Sequence, residues 1–169
     1  MKYSDTWIMQ MRRKTALPEM PACTAKEFFD RLMEMPVPDI FSDMPEEMAG
    51  RRFIADRRPQ YIKSDITGDI SLSMDLFEGK ESVEEAIGKL CHIIKTMYPA
   101  SVIYDFGDLP GMEAGRWFDV KSYKGEEVYY NIYFIAEKED KKIFGSFQCP
   151  FEKYDNWKPQ ITQLLQEMK

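Results

Sequence analysis

The chain has 169 residues, of which 44% are hydrophobic and 31% are charged, the balance of an ordinary globular protein. Its net charge of −6 disfavours a nucleic-acid partner, because binding to phosphates depends on positive charge. No segment approaches the roughly 20 apolar residues of a membrane-spanning helix, and the N-terminus lacks a signal-peptide pattern. We therefore expect a cytoplasmic protein that does not insert into a membrane.

The cysteines do not form a metal or disulfide pattern. Cys23, Cys91 and Cys149 are far apart in the sequence, and His92 is the only histidine. A zinc site needs four ligands at characteristic spacings, which this set does not supply. We expect reduced, buried thiols, no metal and no cofactor.

The N-terminal part carries one helix signal. Thr24 and Glu27 have the spacing of a capping box, in which each side chain satisfies a free backbone N–H of the other residue. This pattern predicts a short helix from Ala25 to Met35. Residues 36–60 read as irregular, with one helical turn near Pro45.

The periodicity sharpens after residue 60. Strict alternation from Ile70 to Leu76 predicts a half-buried strand. Ser82 and Glu85 form a second capping box, and apolar residues at helical spacing predict a helix that continues to Met97.

Four strands and a closing helix follow. The predicted strands are Val102–Phe106, Arg116–Tyr123, Glu127–Glu137 and Lys142–Cys149. The last two links between them are short enough for antiparallel hairpins. Asp155 or Asn156 is expected to cap the closing helix, with Pro159 in its first turn.

The resulting order is β-α-β-β-β-β-α after an irregular or helical N-terminal segment. Such an order predicts an α+β fold in which an antiparallel β-sheet is flanked by helices, as an α/β/α sandwich. We expect a single domain over residues 36–169, preceded by an N-terminal arm over residues 1–35 that contains the short helix.

No catalytic constellation stands out. Asp105 and Asp108 lie at the end of a strand, where aspartate is common, and the sequence shows neither a matched acid–base partner nor a pocket for them. His92 and Cys91 are adjacent on a helix and so do not face each other, while a pair of His92 with Cys149 depends on the fold. We expect that the protein is not an enzyme.

An arginine cluster is the first candidate binding feature. Arg51, Arg52, Arg57 and Arg58 lie within eight residues and could bind carboxylates or phosphates through two parallel hydrogen bonds. The alternative is a solvated loop in which these side chains pair with Asp56 and nearby acids.

The strand Glu127–Glu137 is the second candidate. One of its faces carries Tyr130 and Phe134, and the other carries Tyr129 and Tyr133. A strand that is apolar on both faces is covered on both sides. We expect helices on one face, and either the N-terminal arm or a partner protein on the other.

The C-terminal sequence also suggests a family. The strand GRWFDVKSY from Gly115, and FGSFQCP followed by a helix bearing Trp157, resemble the PsbP-like superfamily over about residues 36–169. That superfamily contains the photosystem II extrinsic protein PsbP, a Ran-binding nuclear factor and small bacterial proteins. The resemblance implies an antiparallel sheet between helices and a role in binding or assembly, and it assigns no functional residue.

These observations predict a non-catalytic binding or assembly domain that recognises a protein partner through Arg57, Arg58, Tyr129 and Tyr133. One alternative is a small-molecule-binding domain or weak enzyme with an apolar pocket between helix and sheet, as in helix-grip folds. Another is an interaction or immunity-type protein of a bacterial secretion locus. A deep pocket with convergent polar groups favours the small-molecule binder, and a filled core with an exposed tyrosine-bearing face favours the partner binder.

Overall fold

The computed structural model describes residues 21–53 and 55–169 of the chain. The helices and strands in this part are β1 (Cys23–Phe28), β2 (Met33–Pro38), β3 (Ser42–Asp43), α1 (Glu46–Arg52), β4 (Tyr61–Ser64), β5 (Ser71–Phe77), α2 (Val83–Met97), β6 (Val102–Asp108), β7 (Ala114–Lys124), β8 (Glu127–Lys138), β9 (Lys141–Pro150) and α3 (Tyr154–Gln166). Residues 1–20 of the predicted N-terminal arm lie outside the described residues.

Seven strands form one antiparallel sheet in the order β3-β4-β5-β9-β8-β7-β6. From β5 onward, the chain follows the predicted sequence of strand, helix, four strands and helix. The predicted α+β fold with an antiparallel sheet between helices is therefore confirmed. The short strands β3 and β4, which extend the sheet beyond β5, were not among the predicted elements.

Two hydrophobic cores lie on opposite faces of the sheet. Tyr130 and Phe134 of β8 belong to the larger core, which contains side chains of α3 and of the β1–β2 hairpin. Tyr133 and Ile135 belong to the smaller core, which packs against α2. The central strand is thus buried on both faces, as its sequence predicts.

The predicted helix from Ala25 to Met35 is wrong, because these residues form the β1–β2 hairpin. Three consecutive residues from Phe29 to Arg31 adopt positive φ and reverse the chain between the two strands. Thr24 does not cap a helix: its Oγ1 donates to Asp39 Oδ1 at 2.6 Å. The domain boundary predicted at residue 36 falls inside β2, and the division of the chain into arm and domain stays a prediction.

A contact between distant parts of the chain fixes this hairpin. The backbone N–H of Glu34 donates to the carbonyl of Lys169 at 2.7 Å, and the N–H of Lys169 donates back at 2.9 Å. Met33, Met35 and Val37 alternate toward the larger core. The period of two in β2 therefore outweighs the local capping signal.

The two long helices begin differently. Ser82 caps α2 as predicted, because its Oγ accepts the backbone N–H of Glu85 at 3.1 Å. The predicted cap of the closing helix is wrong: α3 begins at Tyr154, directly after a 3-10 turn over Phe151–Lys153, and has no side-chain cap. Because this turn starts the helix early, Pro159 lies inside α3 instead of in its first turn.

Candidate binding cleft

A cleft of about 330 Å³ lies beside the C-terminal end of α2, on the face of the sheet that α2 partly covers. Ile94 and Tyr98 from α2 and its C-cap form one wall. Arg52 and Phe53, at the end of α1, also contribute to the lining. The volume is at the lower end of the range of ligand pockets, which is roughly 300–1,000 Å³.

The floor of the cleft is polar. Ser71 of β5, Gln148 of β9 and Asn131 of β8 form a row, because Gln148 is paired in register with both of the others. Asn131 Nδ2 donates to Ser122 Oγ at 2.8 Å. The side chains of Ser71 and Gln148 also line the cleft, so their polar atoms can form hydrogen bonds with a ligand there.

The charged side chains that line the cleft are both cationic. They are Arg52, at the end of α1, and Lys124, at the end of β7. The described lining contains no aspartate or glutamate. Arg52 is 3.9 Å from Asp69 Oδ1, and the side chain of Asp69 is 62% exposed. Such a long, exposed ion pair contributes little and can be exchanged for another carboxylate.

Tyr129 and Tyr133, predicted as partner contacts, both line this cleft. The ring of Tyr133 lies beside those of Phe118 and Phe144, with centroids 5.6 and 6.1 Å away, and burial raises its pKa to about 12. Tyr129 OH donates to Glu127 Oε2 at 2.5 Å, and this hydrogen bond, together with burial, raises the pKa of Tyr129. Both hydroxyl groups stay protonated at neutral pH.

The other two predicted contacts, Arg57 and Arg58, do not line the cleft. Arg57 ends the short 3-10 turn after α1 and is exposed. Arg58 forms an ion pair with Glu46, in the first turn of α1. The cluster is therefore divided: Arg58 pairs with Glu46 of α1, and Arg52 is the arginine that reaches the cleft.

The catalytic pairings considered from the sequence do not form. Asp105 pairs with Lys158, and Asp108 lies 3.7 Å from Arg116. His92 is exposed on α2, whereas Cys149 is buried in the core on the other face of the sheet. All three cysteines are free, and no group of three or more His, Cys, Asp or Glu residues in 21–53 and 55–169 could hold a metal ion.

A buried carboxylate that the sequence did not reveal lies on the opposite face of the sheet. Asp119 is fully buried and accepts hydrogen bonds from Tyr130 OH at 2.6 Å and from the backbone N–H of Asp105 at 2.7 Å. Lys158 Nζ, on α3, lies 2.7 Å from Asp119 Oδ2, the oxygen that also accepts from Tyr130. The register of β6 against β7 shifts between Ile103 and Phe106, so Asp119 satisfies an N–H that the ladder leaves free.

The partners of Asp119 are held in their protonated forms. Burial and the hydrogen bond to Asp119 raise the pKa of Tyr130. Burial lowers the pKa of Lys158, but hydrogen bonds to Asp105 and Asp119 outweigh this effect and raise it. The network joins α3 to the edge of the sheet and is consistent with a structural role.

Comparison by sequence gives no relative: no family model matches the chain, and no curated protein matches it. Comparison by structure finds similar proteins. The solution structure of cyanobacterial PsbP (CyanoP) from Synechocystis sp. PCC 6803 matches with a TM-score of 0.63 at 9% identity, over 89% of this chain and 94% of that chain. The fold is PsbP-like.

Two further solved structures share this PsbP-like fold. The Saccharomyces cerevisiae Ran-binding protein Mog1p matches with a TM-score of 0.58 at 10% identity, over 88% of this chain and 95% of that chain. LpqN from Mycobacterium tuberculosis, involved in cell envelope biogenesis, matches with a TM-score of 0.56 at 11% identity, over 88% and 90%. At these identities the likeness concerns the fold alone. None of the helices in the described residues combines the length and apolar character needed to cross a bilayer.

Proposed function

We propose that this chain is a non-catalytic binding domain whose protein partner docks at the cleft beside the C-terminal end of α2. The observation that carries the proposal is the combination of exposed tyrosine side chains with an arginine around a polar floor. Tyr98 and Tyr123 are 52% and 40% exposed at this cleft, and the half-buried Tyr129 and Arg52 line it as well. Tyrosine and arginine are enriched among the residues that dominate binding energy at protein interfaces.

The chemistry of the lining supports binding over catalysis. The titratable side chains that line the cleft are those of arginine, lysine and tyrosine. General acid–base catalysis works best with a group whose pKa lies near the operating pH. Tyr133, whose pKa is raised to about 12, is far from that range. Within the described residues, the lining contains no histidine, aspartate or glutamate, the residue types that most often act as general acids or bases.

The four residues predicted as partner contacts have different roles in this proposal. Tyr129 touches the partner, and Tyr133 forms a rigid wall of the cleft. Arg57 is exposed on the segment after α1 and contacts the partner at the periphery. Arg58 acts indirectly, because its ion pair with Glu46 holds the helix that presents Arg52. A protein partner is also compatible with the PsbP-like fold, since Mog1p is a Ran-binding protein.

Site-specific photo-crosslinking tests the proposal. A photoreactive phenylalanine analogue would replace Tyr98 in the cleft, or Tyr104 on the edge strand β6 as a control of similar exposure, 43%. We expect a protein adduct from position 98 that is absent from position 104 and is lost when Tyr129 is replaced by alanine. Adducts that are identical at both positions, or that persist in Tyr129→Ala, would contradict docking at the cleft.

The geometry favours one second candidate, a small polar ligand. The cleft lies between a helix and the sheet, and its floor presents the amide of Gln148 and the hydroxyl of Ser71. This differs from the apolar pocket expected for a helix-grip protein, because the floor is polar. Ligand-observed NMR with a fragment mixture distinguishes the two candidates: a fragment that binds the cleft and does not compete with the crosslinked protein would favour the small ligand.

A further inference from the structure

The charge of the cleft differs from that of the whole chain. The protein has a net charge of −6, yet the charged residues that line the cleft are Arg52 and Lys124. Two acids contact lining residues without lining the cleft themselves: Asp69 faces Arg52, and Glu127 accepts the hydrogen bond of Tyr129. The two cations attract an anionic group to the cleft, whereas the negative charge of the rest of the protein repels it. An anion is therefore directed to this site.

Arg52 differs from its neighbours in how its charge is used. Arg51 Nη2 lies 2.6 Å from Glu47, and Arg58 forms a close ion pair with Glu46. Among the described residues, the carboxylate that pairs with Arg52 is that of Asp69, whose Oδ1 is 3.9 Å away, too far for a hydrogen bond. The guanidinium fork of Arg52 therefore keeps its capacity for two parallel hydrogen bonds to an incoming carboxylate.

The helix that carries Arg52 is anchored to its surroundings. Arg52 lies in the last turn of α1, and its side chain is 26% exposed. Arg58 ties the start of α1 through Glu46. Met48 of α1 packs against Gly68, in the turn between β4 and β5. Its sulfur lies 2.1 Å from the position that a Cβ of Gly68 would take. A helix that is already anchored loses little backbone entropy on binding, which favours affinity.

A lysine partly compensates the negative end of the α2 helix dipole, which lies at the cleft. The C-terminal end of a helix carries a partial negative charge, and α2 ends at this cleft. Lys95 Nζ lies 2.6 Å from the carbonyl of Ser101 and 3.3 Å from that of Pro99, just beyond the helix. This cation offsets part of the negative potential that α2 would otherwise present to an anion.

From these observations we propose that the cleft recognises an acidic side chain on its protein partner, with Arg52 as the residue that binds the carboxylate. The inference rests on the proposed function of the cleft and names the chemistry of the partner. Gln148 and Ser71 supply hydrogen bonds from the floor to the same segment, and the rings of Tyr98 and Tyr129 contact its flanking apolar groups. The partner's acid displaces Asp69 from Arg52.

A peptide selection tests this chemistry without knowledge of the natural partner. A displayed library of short random peptides is selected on the full chain, and clones that still bind Tyr129→Ala are discarded. We expect the remaining peptides to share an aspartate or glutamate. Replacing that acid by its amide should weaken binding at least about tenfold, and added salt should weaken the acidic peptide more than the amide peptide.

Variants of Arg52 test whether this residue binds the carboxylate. In Arg52→Gln, the acidic and amide peptides should bind equally, and Arg52→Lys should restore only part of the preference, because lysine lacks the fork. Arg51→Gln is the matched control: it removes the same charge from a neighbouring side chain that is 77% exposed, and it should leave the preference intact. Unchanged thermal unfolding verifies that each variant is folded.

The outcomes separate this inference from the proposed function. Cleft-dependent peptides without a shared acid, or a preference for the acid that survives in Arg52→Gln, would overturn the carboxylate site and leave the cleft as a docking surface. Failure to select any peptide that depends on Tyr129, together with no adduct from position 98, would overturn both.

Discussion

Asp119 offers a demanding test of the energetics of this fold. Its two carboxylate oxygens accept hydrogen bonds from Tyr130 OH and from the backbone N–H of Asp105, at 2.6 and 2.7 Å, and Lys158 Nζ lies 2.7 Å away. The perturbation is Asp119→Ala, which removes both acceptors and leaves the tyrosine hydroxyl and the N–H without partners. Lys158 retains Asp105 at 2.5 Å.

The expected cost follows from the groups that lose their partners. Each buried donor left unsatisfied costs about 1–3 kcal/mol, so two of them cost about 4 kcal/mol. Lys158 adds little to this cost, because it is 26% exposed and keeps its pair with Asp105. Asp119→Asn keeps one oxygen acceptor and should cost less, about 2–3 kcal/mol. Asp119 is fully buried, so solvent cannot replace the lost contacts.

Urea unfolding at neutral pH measures these differences. The control is Asp105→Asn, because the side chain of Asp105 is 62% exposed and pairs with the same lysine. It should cost less than about 1 kcal/mol, since exposed ion pairs contribute little. The reasoning would be refuted if Asp119→Ala and Asp105→Asn lowered the free energy of unfolding by equal amounts.

Two further predictions concern the core and the pH dependence of stability. Gly145→Ala should lower the free energy of unfolding by about 3 kcal/mol, because its Cβ would lie 1.9 Å from the ring of Phe134, whereas Gly88→Ala, with open space around it on α2, should raise it by up to about 1 kcal/mol. Chemical denaturation checks both, and equal effects would contradict this account of the packing. Burial raises the pKa of the Cys149 thiol from 9.0 to about 12, so the unfolded chain releases this proton at lower pH than the folded chain does. The stability that this thiol contributes is present below pH 9 and is lost between about pH 9 and 12, at about 1.4 kcal/mol per pH unit. The slope of unfolding free energy against pH in that window should be shallower in Cys149→Ala, and identical slopes would rule out a protonated, buried thiol.

The elements from β5 onward could be predicted from the sequence because their signals are local. The alternation that ends at Leu76 and the capping box at Ser82 each describe one element and its own buried face. The β1–β2 hairpin could not be predicted in this way. Its register depends on the backbone pairing of Glu34 with Lys169, which are far apart in the sequence. The spacing of Thr24 and Glu27 matched a helix signal that the tertiary contacts overrode.

The cleft was predictable only in part. The alternation of β8 placed Tyr129 and Tyr133 on one face, and both line the cleft. The arginine cluster was identified, but the arginine that reaches the cleft is Arg52, and this depends on where α1 packs against the sheet, which the sequence does not show. A usable signal was present in β8, where Asn131 is a polar residue between Tyr129 and Tyr133 on the same face, and Gln148 is its partner on β9. Their alignment needs the strand register, which the sequence did not supply.

The affinity of the crosslinked partner for two tyrosine variants tests the central claim most directly. Isothermal titration calorimetry would compare Tyr98→Ala, at the cleft, with Tyr104→Ala, at the edge of the sheet. Docking at the cleft predicts that Tyr98→Ala raises the Kd at least about tenfold and that Tyr104→Ala leaves it within about twofold of the wild-type value. An equal Kd for the two variants, or a larger effect of Tyr104→Ala, would contradict the assignment of the cleft as the binding surface.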